Sequence, residues 1–129
     1  MRLQETDQEQ LRRKDRGMRA WQSGQAAEDA VARLYERTGH TIAARRWRKG
    51  GGELDLVFRT GDILVFTEVK KSRDFASAAA SLSERQILRL RMGAAAFLAS
   101  EPKGELTECR FDVALVNAHG EIHIHENAF

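Results

Sequence analysis

The chain has little of what marks a secreted or membrane protein. Its 129 residues include one cysteine, Cys109, which excludes an internal disulfide and fits a reducing cytoplasm. No apolar run approaches the roughly 20 residues that span a bilayer, and the polar N-terminus predicts no secretory signal. The sequence has neither an internal repeat nor an interdomain linker. We therefore expect a cytoplasmic protein with a single folded domain and no membrane partner.

What the chain does have is charge, and this charge is unevenly distributed. The net charge is only +2. Residues 33–49 nevertheless carry six basic side chains against one acid, whereas residues 101–129 carry six acids against two basic side chains. A basic face and an acidic end suit a surface that binds a polyanion. The alternative is that the arginines only solvate a helix and the edge of a strand.

Hydrophobic periodicity predicts a mixed α/β domain. The predicted order is α-β-β-β-α-β-β, with helices over 23–38 and 82–100 and strands over 40–47, 53–59, 63–70, 106–116 and 121–125. A helical crossover after a three-strand meander implies a mixed sheet with helices packed on it. Ser81 and Glu84 have the spacing of a capping box at the second helix. We expect residues 1–20 to form a flexible basic arm and residues 21–129 to form the folded domain. Within the domain, residues 50–52 are predicted to be a flexible connection and residues 74–78 a loop.

Two apolar strands of this domain carry charges that a buried hairpin would not normally hold. Asp55 lies on one strand, and Glu68 and Lys70 lie on the next, where their spacing of two puts them on one face. A turn centred near Gly61 sets Asp55 roughly opposite Phe66 or Thr67, within about 5–8 Å of Glu68. The three charged groups can therefore meet.

This combination is the minimal equipment for metal-dependent hydrolysis of phosphodiesters. Asp55 and Glu68 are candidate ligands for Mg²⁺ or Mn²⁺, which prefer oxygen donors. Lys70 would orient the attacking water or stabilise the developing charge. Glu28 lies seven residues before Tyr35 and so borders the buried stripe of the first helix, from which it could assist. The alternative is that Asp55, Glu68 and Lys70 form a structural salt-bridge cluster on an exposed face of the sheet. Glu53 shares a face with Asp55, and we expect it only to fix the start of its strand.

Five motifs of the chain are informative when taken together. They are Gly24 with Glu28, Gly51-Gly52-Glu53-Leu54-Asp55-Leu56, Phe66-Thr67-Glu68-Val69-Lys70, Arg110-Phe111-Asp112-Val113 and Ile124-His125-Glu126-Asn127-Ala128-Phe129. Jointly they resemble one bacterial family, the YraN-like proteins. This family is placed in the restriction-endonuclease-like superfamily of PD-(D/E)xK nucleases, close to Holliday junction resolvases. The resemblance covers about residues 20–129. It implies a restriction-endonuclease-like α/β fold with Glu28, Asp55, Glu68 and Lys70 at the catalytic positions.

The sequence departs from the family pattern at three points. Arg46 stands where the family usually has Asn, the Arg that commonly follows Glu-Val-Lys is displaced to Arg73, and Arg85-Gln86 stands where a Lys is often presented. These changes keep or add positive charge, so they preserve the expectation of nucleic-acid binding and leave the geometry of the substrate open. The candidate nucleic-acid contacts are Arg45, Arg46, Arg48, Lys49, Arg73, Arg85, Gln86 and Arg89.

The leading hypothesis is a Mg²⁺- or Mn²⁺-dependent endonuclease acting on DNA, including branched repair or recombination intermediates. It would work as a homodimer if it cuts both strands symmetrically. A second hypothesis is a non-catalytic nucleic-acid-binding module that retains the nuclease fold, and a third is a purely structural partner protein. Trp47 is a candidate either for stacking on bases or for the core. Asp112 is a candidate for anchoring Arg110. His123 and His125 could form a metal-binding pair or belong to a solvated strand.

Overall fold

The fold is a five-stranded sheet with helices on both faces. The computed structural model describes the backbone of residues 2–129 and the side chains of residues 7–129 other than Asp15, Ala20 and Trp21. In chain order the elements are α1 (Arg2–Arg37), β1 (Thr41–Lys49), β2 (Gly52–Thr60), β3 (Ile63–Lys71), α2 (Phe75–Ala80), α3 (Glu84–Leu98), a 3₁₀ turn (Gly104–Leu106), β4 (Cys109–Val116) and β5 (Ile122–His125).

The strands lie in the sheet in their chain order, β1-β2-β3-β4-β5. All neighbours are antiparallel except β3 and β4, which are parallel. A parallel pair needs a crossover from one end of the sheet to the other, and here α2 and α3 supply it. This arrangement confirms the predicted mixed α/β fold.

Each face of the sheet is buried under its own helix layer. Val31 and Tyr35 of α1 pack on one face with Phe58 of β2. Leu90 of α3 packs on the other face with Val57, and α2 extends that second layer over β4. The central strands are buried from both sides, which explains their nearly continuous apolar sequences.

The first helix is much longer than the sequence predicts. It begins at Arg2 rather than near residue 23, so the segment predicted as a flexible arm is helical over its described part. The described side chains of residues 7–19 are all exposed. This segment therefore shows no apolar periodicity, although its Gln, Glu, Lys and Arg residues are good helix formers. Its flexibility stays a prediction.

The start of the crossover also differs from the prediction. Residues 75–80, which lie mostly in the predicted loop, form the short helix α2, capped by Asp74 Oδ1 accepting from Ser77 N at 2.7 Å. The capping box of α3 consists of Ser83 and Gln86 rather than Ser81 and Glu84. Ser81 cannot be this cap, because it ends α2 in a helical conformation and an N-cap needs an extended one.

β4 is shorter than the sequence predicts. β4 begins at Cys109 rather than near residue 106, because residues 104–106 are coiled into the 3₁₀ turn. Within the described part of the chain, no helix combines the length and the apolar character that crossing a membrane requires.

Candidate functional site

The central hairpin opens at the predicted charged cluster. Leu56 is the last residue of β2 that pairs with β3, opposite Thr67. Continuing this register places Asp55 opposite Glu68, one or two positions closer than the sequence predicts. Beyond this point β2 pairs only with β1 and β3 only with β4. Asp55 Oδ2 accepts from Val69 N at 2.9 Å, so the carboxylate takes the backbone donor that the diverging strand leaves.

The alternation of side chains also breaks at Asp55. Residues two apart on a regular strand share a face. Leu54 nevertheless packs with the α3 layer, whereas Leu56 packs with the α1 layer. The β1 residue in register with Asp55 is Arg46, which adopts a left-handed backbone with φ 47°. Both strands are therefore kinked at the site, and the kink directs Asp55 to the opening between β2 and β3.

Glu68 is held beside Lys70 and Asp55 in largely buried surroundings. Its side chain is 13% exposed, that of Lys70 is 15% exposed, and Glu68 Oε1 lies 3.6 Å from Lys70 Nζ. Burial first, and then repulsion from the Asp55 carboxylate, raise the pKa of Glu68 to about 8. Burial also raises the pKa of Asp55, and the Val69 hydrogen bond opposes that rise. Two carboxylates in this state gain from a nearby cation, which would favour their ionised forms.

Glu28 reaches the same cavity from α1. Its side chain is 18% exposed, and Arg46 Nε donates to its Oε2 at 3.1 Å. Burial raises the pKa of Glu28, with a further contribution from Asp55, while Arg46 lowers it. The cavity measures about 270 Å³ and is lined by Glu28, Glu53, Asp55, Glu68, Val69, Lys70, Gln86 and Arg89. The structure thus brings all four predicted catalytic residues together.

Glu53 lines the cavity but is already neutralised by arginines. Its Oε1 lies 3.0 Å from Arg48 of β1, and its Oε2 lies 3.3 Å from Arg89 of α3. These contacts tie the start of β2 to the neighbouring strand and helix. They support the interpretation of Glu53 as a residue that fixes its strand.

Most of the predicted nucleic-acid contacts are held in ion pairs, and two of them, Gln86 and Arg89, line the cavity. Arg45 pairs with Asp29 at 2.6 Å and Arg46 with Glu28, while Arg48 and Arg89 share Glu53. Arg73 pairs with Asp74 at 3.4 Å. Gln86 lines the cavity while closing the capping box of α3, and Lys49 and Arg85 are exposed. Exposed pairs contribute little stability, so such arginines remain able to reorient toward phosphate.

The donor set fits a hard divalent cation that keeps part of its water shell. Asp55 and Glu68 supply carboxylate oxygens, and Mg²⁺ is commonly held by one or two carboxylates together with waters and substrate phosphate. Among the residues that the structure describes, no three His, Cys, Asp or Glu side chains are grouped as a ready-made metal shell. Two carboxylates therefore suit an ion whose shell is completed by water and substrate.

Asp112 lies beneath the site as a buried anchor. It is fully buried, and its carboxylate accepts from Tyr35 Oη at 2.7 Å and from Arg110 Nε at 3.1 Å. It also accepts from the backbone of Asn127 at 3.0 Å. Asp112 is opposite Thr67 in the parallel ladder. It therefore ties α1, β4 and the C-terminal residues together next to Glu68, and it does anchor Arg110 as predicted.

The other candidates do not join this site. Trp47 is partly buried against the core and packs on Phe97 with ring centroids 5.2 Å apart, which favours the core over stacking on bases. His123 and His125 occupy exposed positions of β5, and their ring centroids lie 4.6 Å apart. In the described residues no third ligand accompanies them, which favours a solvated strand.

Three residues near the site were not singled out for binding by the sequence. Ser23, Gly24 and Lys71 line a second cavity next to the first. The available signal was a run of small residues in α1, whose significance depends on the strand that the helix faces.

Fold and site together define the class of this protein. It is a mixed α/β protein whose central hairpin opens around a half-buried cluster of acids and one lysine. The model of the family described as "Uncharacterised protein family UPF0102" matches residues 27–116. The chain belongs to this family, which confirms the YraN-like resemblance at the family level.

Similar proteins support the same assignment over nearly the whole chain. The UPF0102 protein of Ruegeria pomeroyi is 57% identical over 114 residues, covering 88% of this chain and 93% of the relative. A UPF0102 protein of Cereibacter sphaeroides is 56% identical over 110 residues, covering 85% and 94%. That of Roseobacter denitrificans is 47% identical over 112 residues, covering 87% of each.

Proposed function

We propose that this protein is a divalent-metal-dependent nuclease that hydrolyses DNA phosphodiester bonds on a restriction-endonuclease-like fold. The observation that carries the proposal is the opening of the hairpin, where Asp55 and Glu68 come opposite each other beside Lys70. Two crowded carboxylates with raised pKa values are poised to receive a cation. The four catalytic candidates share a 270 Å³ polar cavity.

In this mechanism Asp55 and Glu68 would hold Mg²⁺ or Mn²⁺. The ion supplies Lewis-acid polarisation of the scissile phosphate and a bound water of lowered pKa. Lys70 places its ammonium group beside Glu68, where it orients the attacking water or stabilises the negative charge that develops on the phosphoryl oxygens. Glu28, fixed by Arg46, positions water at the opposite wall of the cavity. The hydrogen bond from Val69 N keeps Asp55 aligned during these steps.

The test is a cleavage assay with branched, duplex and single-stranded DNA, with Mn²⁺ and with EDTA. We expect Mn²⁺-dependent cleavage by the wild type and a loss of at least about 100-fold in Asp55→Asn and Lys70→Ala, because each removes a group that acts on the transition state. Asp62→Asn is the matched control, since Asp62 is exposed in the turn of the same hairpin. Cleavage that persists in Asp55→Asn and Lys70→Ala would contradict the proposal.

A second candidate, a nucleic-acid-binding module that no longer cuts, is favoured by a specific observation. Arginines pair with two of the acids at the cavity, Glu28 and Glu53. In this case DNA affinity would fall steeply with salt. It would not respond to Mg²⁺ or to Asp55→Asn, and the assay above would show no cleavage.

A further inference from the structure

The exposed part of α1 carries a straight stripe of arginines. Residues 12–19 include five basic residues and one acid. At 3.6 residues per turn, Arg12, Arg16, Arg19 and Ser23 fall within about 60° of one another around the helix axis. The three arginine side chains are exposed. We call Arg12, Arg16 and Arg19 the arginine stripe.

The stripe leads to a groove on β3. Lys71 Nζ donates to Ser23 Oγ, which joins the end of the stripe to the strand. The groove beside this contact measures about 650 Å³, and Gly24 and Glu28 of α1 face Lys70, Lys71 and Arg73 across it. Three of these residues, Lys70, Lys71 and Arg73, are cationic.

Small residues keep this groove open on the helix side. A Cβ atom added to Gly24 would meet nothing within 4 Å. The groove is also continuous with the acidic cavity, because Glu28, Val69 and Lys70 line both. A polyanion lying in the groove would thus have one end at the acids and the other directed along α1.

We propose that the arginine stripe, Lys71 and Arg73 form one track that binds the phosphate backbone of DNA on one flank of the acidic cavity. This inference rests on the proposed function for its ligand and adds where that ligand lies. From Arg12 to Ser23 the helix rises about 16 Å, the length of about five phosphates along one strand of a duplex. The chemistry suits phosphate, because guanidinium groups bind phosphate oxygens in a bidentate manner.

Arg73 remains available for such a contact although it has an ionic neighbour. Its pair with Asp74 spans 3.4 Å, and the two side chains are 84% and 55% exposed. A pair this exposed is weak, because water screens both charges. The guanidinium group can therefore leave Asp74 for a phosphate.

The first test measures binding of the full chain to a fluorescein-labelled DNA duplex and to its single strand by anisotropy, with EDTA present to keep the DNA intact. The variant Arg16→Gln/Arg19→Gln removes two charges from the stripe. We expect about tenfold weaker binding and a salt slope reduced by about two, one for each lost phosphate contact.

The matched control for this test is Lys14→Gln/Lys103→Gln. It removes the same charge from positions off the track, since Lys14 lies about 160° from Arg12 around α1 and Lys103 is exposed in the segment after α3. It should bind like the wild type. Equal losses in the two double variants, or no loss in either, would overturn the track.

The second test uses Gly24 inside the groove. Gly24→Glu and Gly24→Gln place side chains of the same size in the same open space, and Glu and Gln have similar helix propensities. We expect Gly24→Glu to bind DNA at least about tenfold more weakly than Gly24→Gln, because its carboxylate repels phosphate. Equal affinities would contradict the groove as part of the track.

The outcomes separate this proposal from the proposed nuclease activity. Binding that depends on the stripe in a protein that cuts no DNA would remove the nuclease proposal and leave the track in place. Cleavage by a protein whose binding is insensitive to the stripe and to Gly24 would do the reverse. Absence of DNA binding by the wild type would overturn both.

Discussion

Glu68 is the residue at which burial and charge compete most strongly. Its neighbours include one cation, Lys70, and one acid, Asp55, in a pocket with little water access. The result is a carboxyl group whose pKa of about 8 lies near neutral pH. A proton or a cation can therefore satisfy it, and the choice between them depends on pH and on metal concentration.

The pKa of Glu68 predicts an effect on stability. Because the folded-state value of about 8 exceeds the ordinary value of 4.5, the folded protein binds this proton more tightly than the unfolded chain. The stabilisation is fully present below 4.5 and is lost as pH rises through 8, at about 1.4 kcal/mol per unit of pKa difference. Glutamine at this position does not titrate. Without metal, the stability of Glu68→Gln relative to the wild type should therefore increase between pH 4.5 and pH 8.

Urea unfolding of the metal-free protein at several pH values measures this difference. Glu108→Gln is the control, because Glu108 is exposed and lies just before β4. This variant should follow the wild-type pH profile. A constant difference between wild type and Glu68→Gln across the interval would show that the carboxyl group is not buried as described.

At the scale of elements, the close approach of α3 to β2 determines the shape of the site. The sequence predicts a flexible connection at residues 50–52. Gly50 and Gly51 do form a turn with positive φ angles of 64° and 79°, but Gly52 begins β2 against the backbone of Gly93 in α3. This contact brings α3, with Gln86 and Arg89, over the cavity.

Gly52→Ala should therefore be strongly destabilising. Its Cβ would fall inside van der Waals contact of the Gly93 backbone, which cannot move without lifting α3 from the sheet. We expect a loss of about 3 kcal/mol or more in the free energy of unfolding, measured by urea denaturation.

Gly61→Ala provides the comparison for the Gly52 variant. Gly61 has φ 58° and open space around its Cβ position, so its variant suffers only the left-handed backbone strain, about 1–2 kcal/mol. If the two variants lost the same stability, the close approach of α3 to β2 would be refuted.

For the whole molecule, the site is the point at which three parts of the fold meet. β2 and β3 separate there, α1 brings Glu28 to one side, and α3 brings Gln86 to the other. An ion that binds Asp55 and Glu68 would therefore bind the folded chain and not the unfolded one. Such a ligand stabilises the fold by mass action.

Mn²⁺ should accordingly raise the melting temperature of the wild type. At a concentration of about 100 times Kd the gain is about 2.7 kcal/mol, which corresponds to about 10 °C for a domain of this size. Differential scanning fluorimetry with and without Mn²⁺ measures it. Asp55→Asn should lose most of the increase, while Asp62→Asn in the turn of the same hairpin should keep it. An equal increase in all three proteins would place the ion elsewhere.

The accuracy of the sequence-based predictions depended on how local the signal was. The apolar runs of β2 and β3 and the 3.6-residue period of α3 report burial directly, so these elements were predicted to within a few residues. The helical arm and α2 were missed because no buried stripe marks them. The capping box was predicted two residues too early. Ser81 with Glu84 and Ser83 with Gln86 have the same spacing, and only the position at which α2 ends selects between them.

By itself the sequence determined the mixed α/β class, the central hairpin and the charged positions Asp55, Glu68 and Lys70 on it. These follow from local patterns, in which charges inside apolar strands are conspicuous because burying them is costly. Glu28 was singled out by the phase of its helix and by the family resemblance. Only the tertiary structure decided that the hairpin opens at Asp55, that arginines neutralise Glu53 and Glu28, and that the arginine stripe leads to the groove. Those features depend on contacts between residues far apart in the chain, which no local pattern encodes.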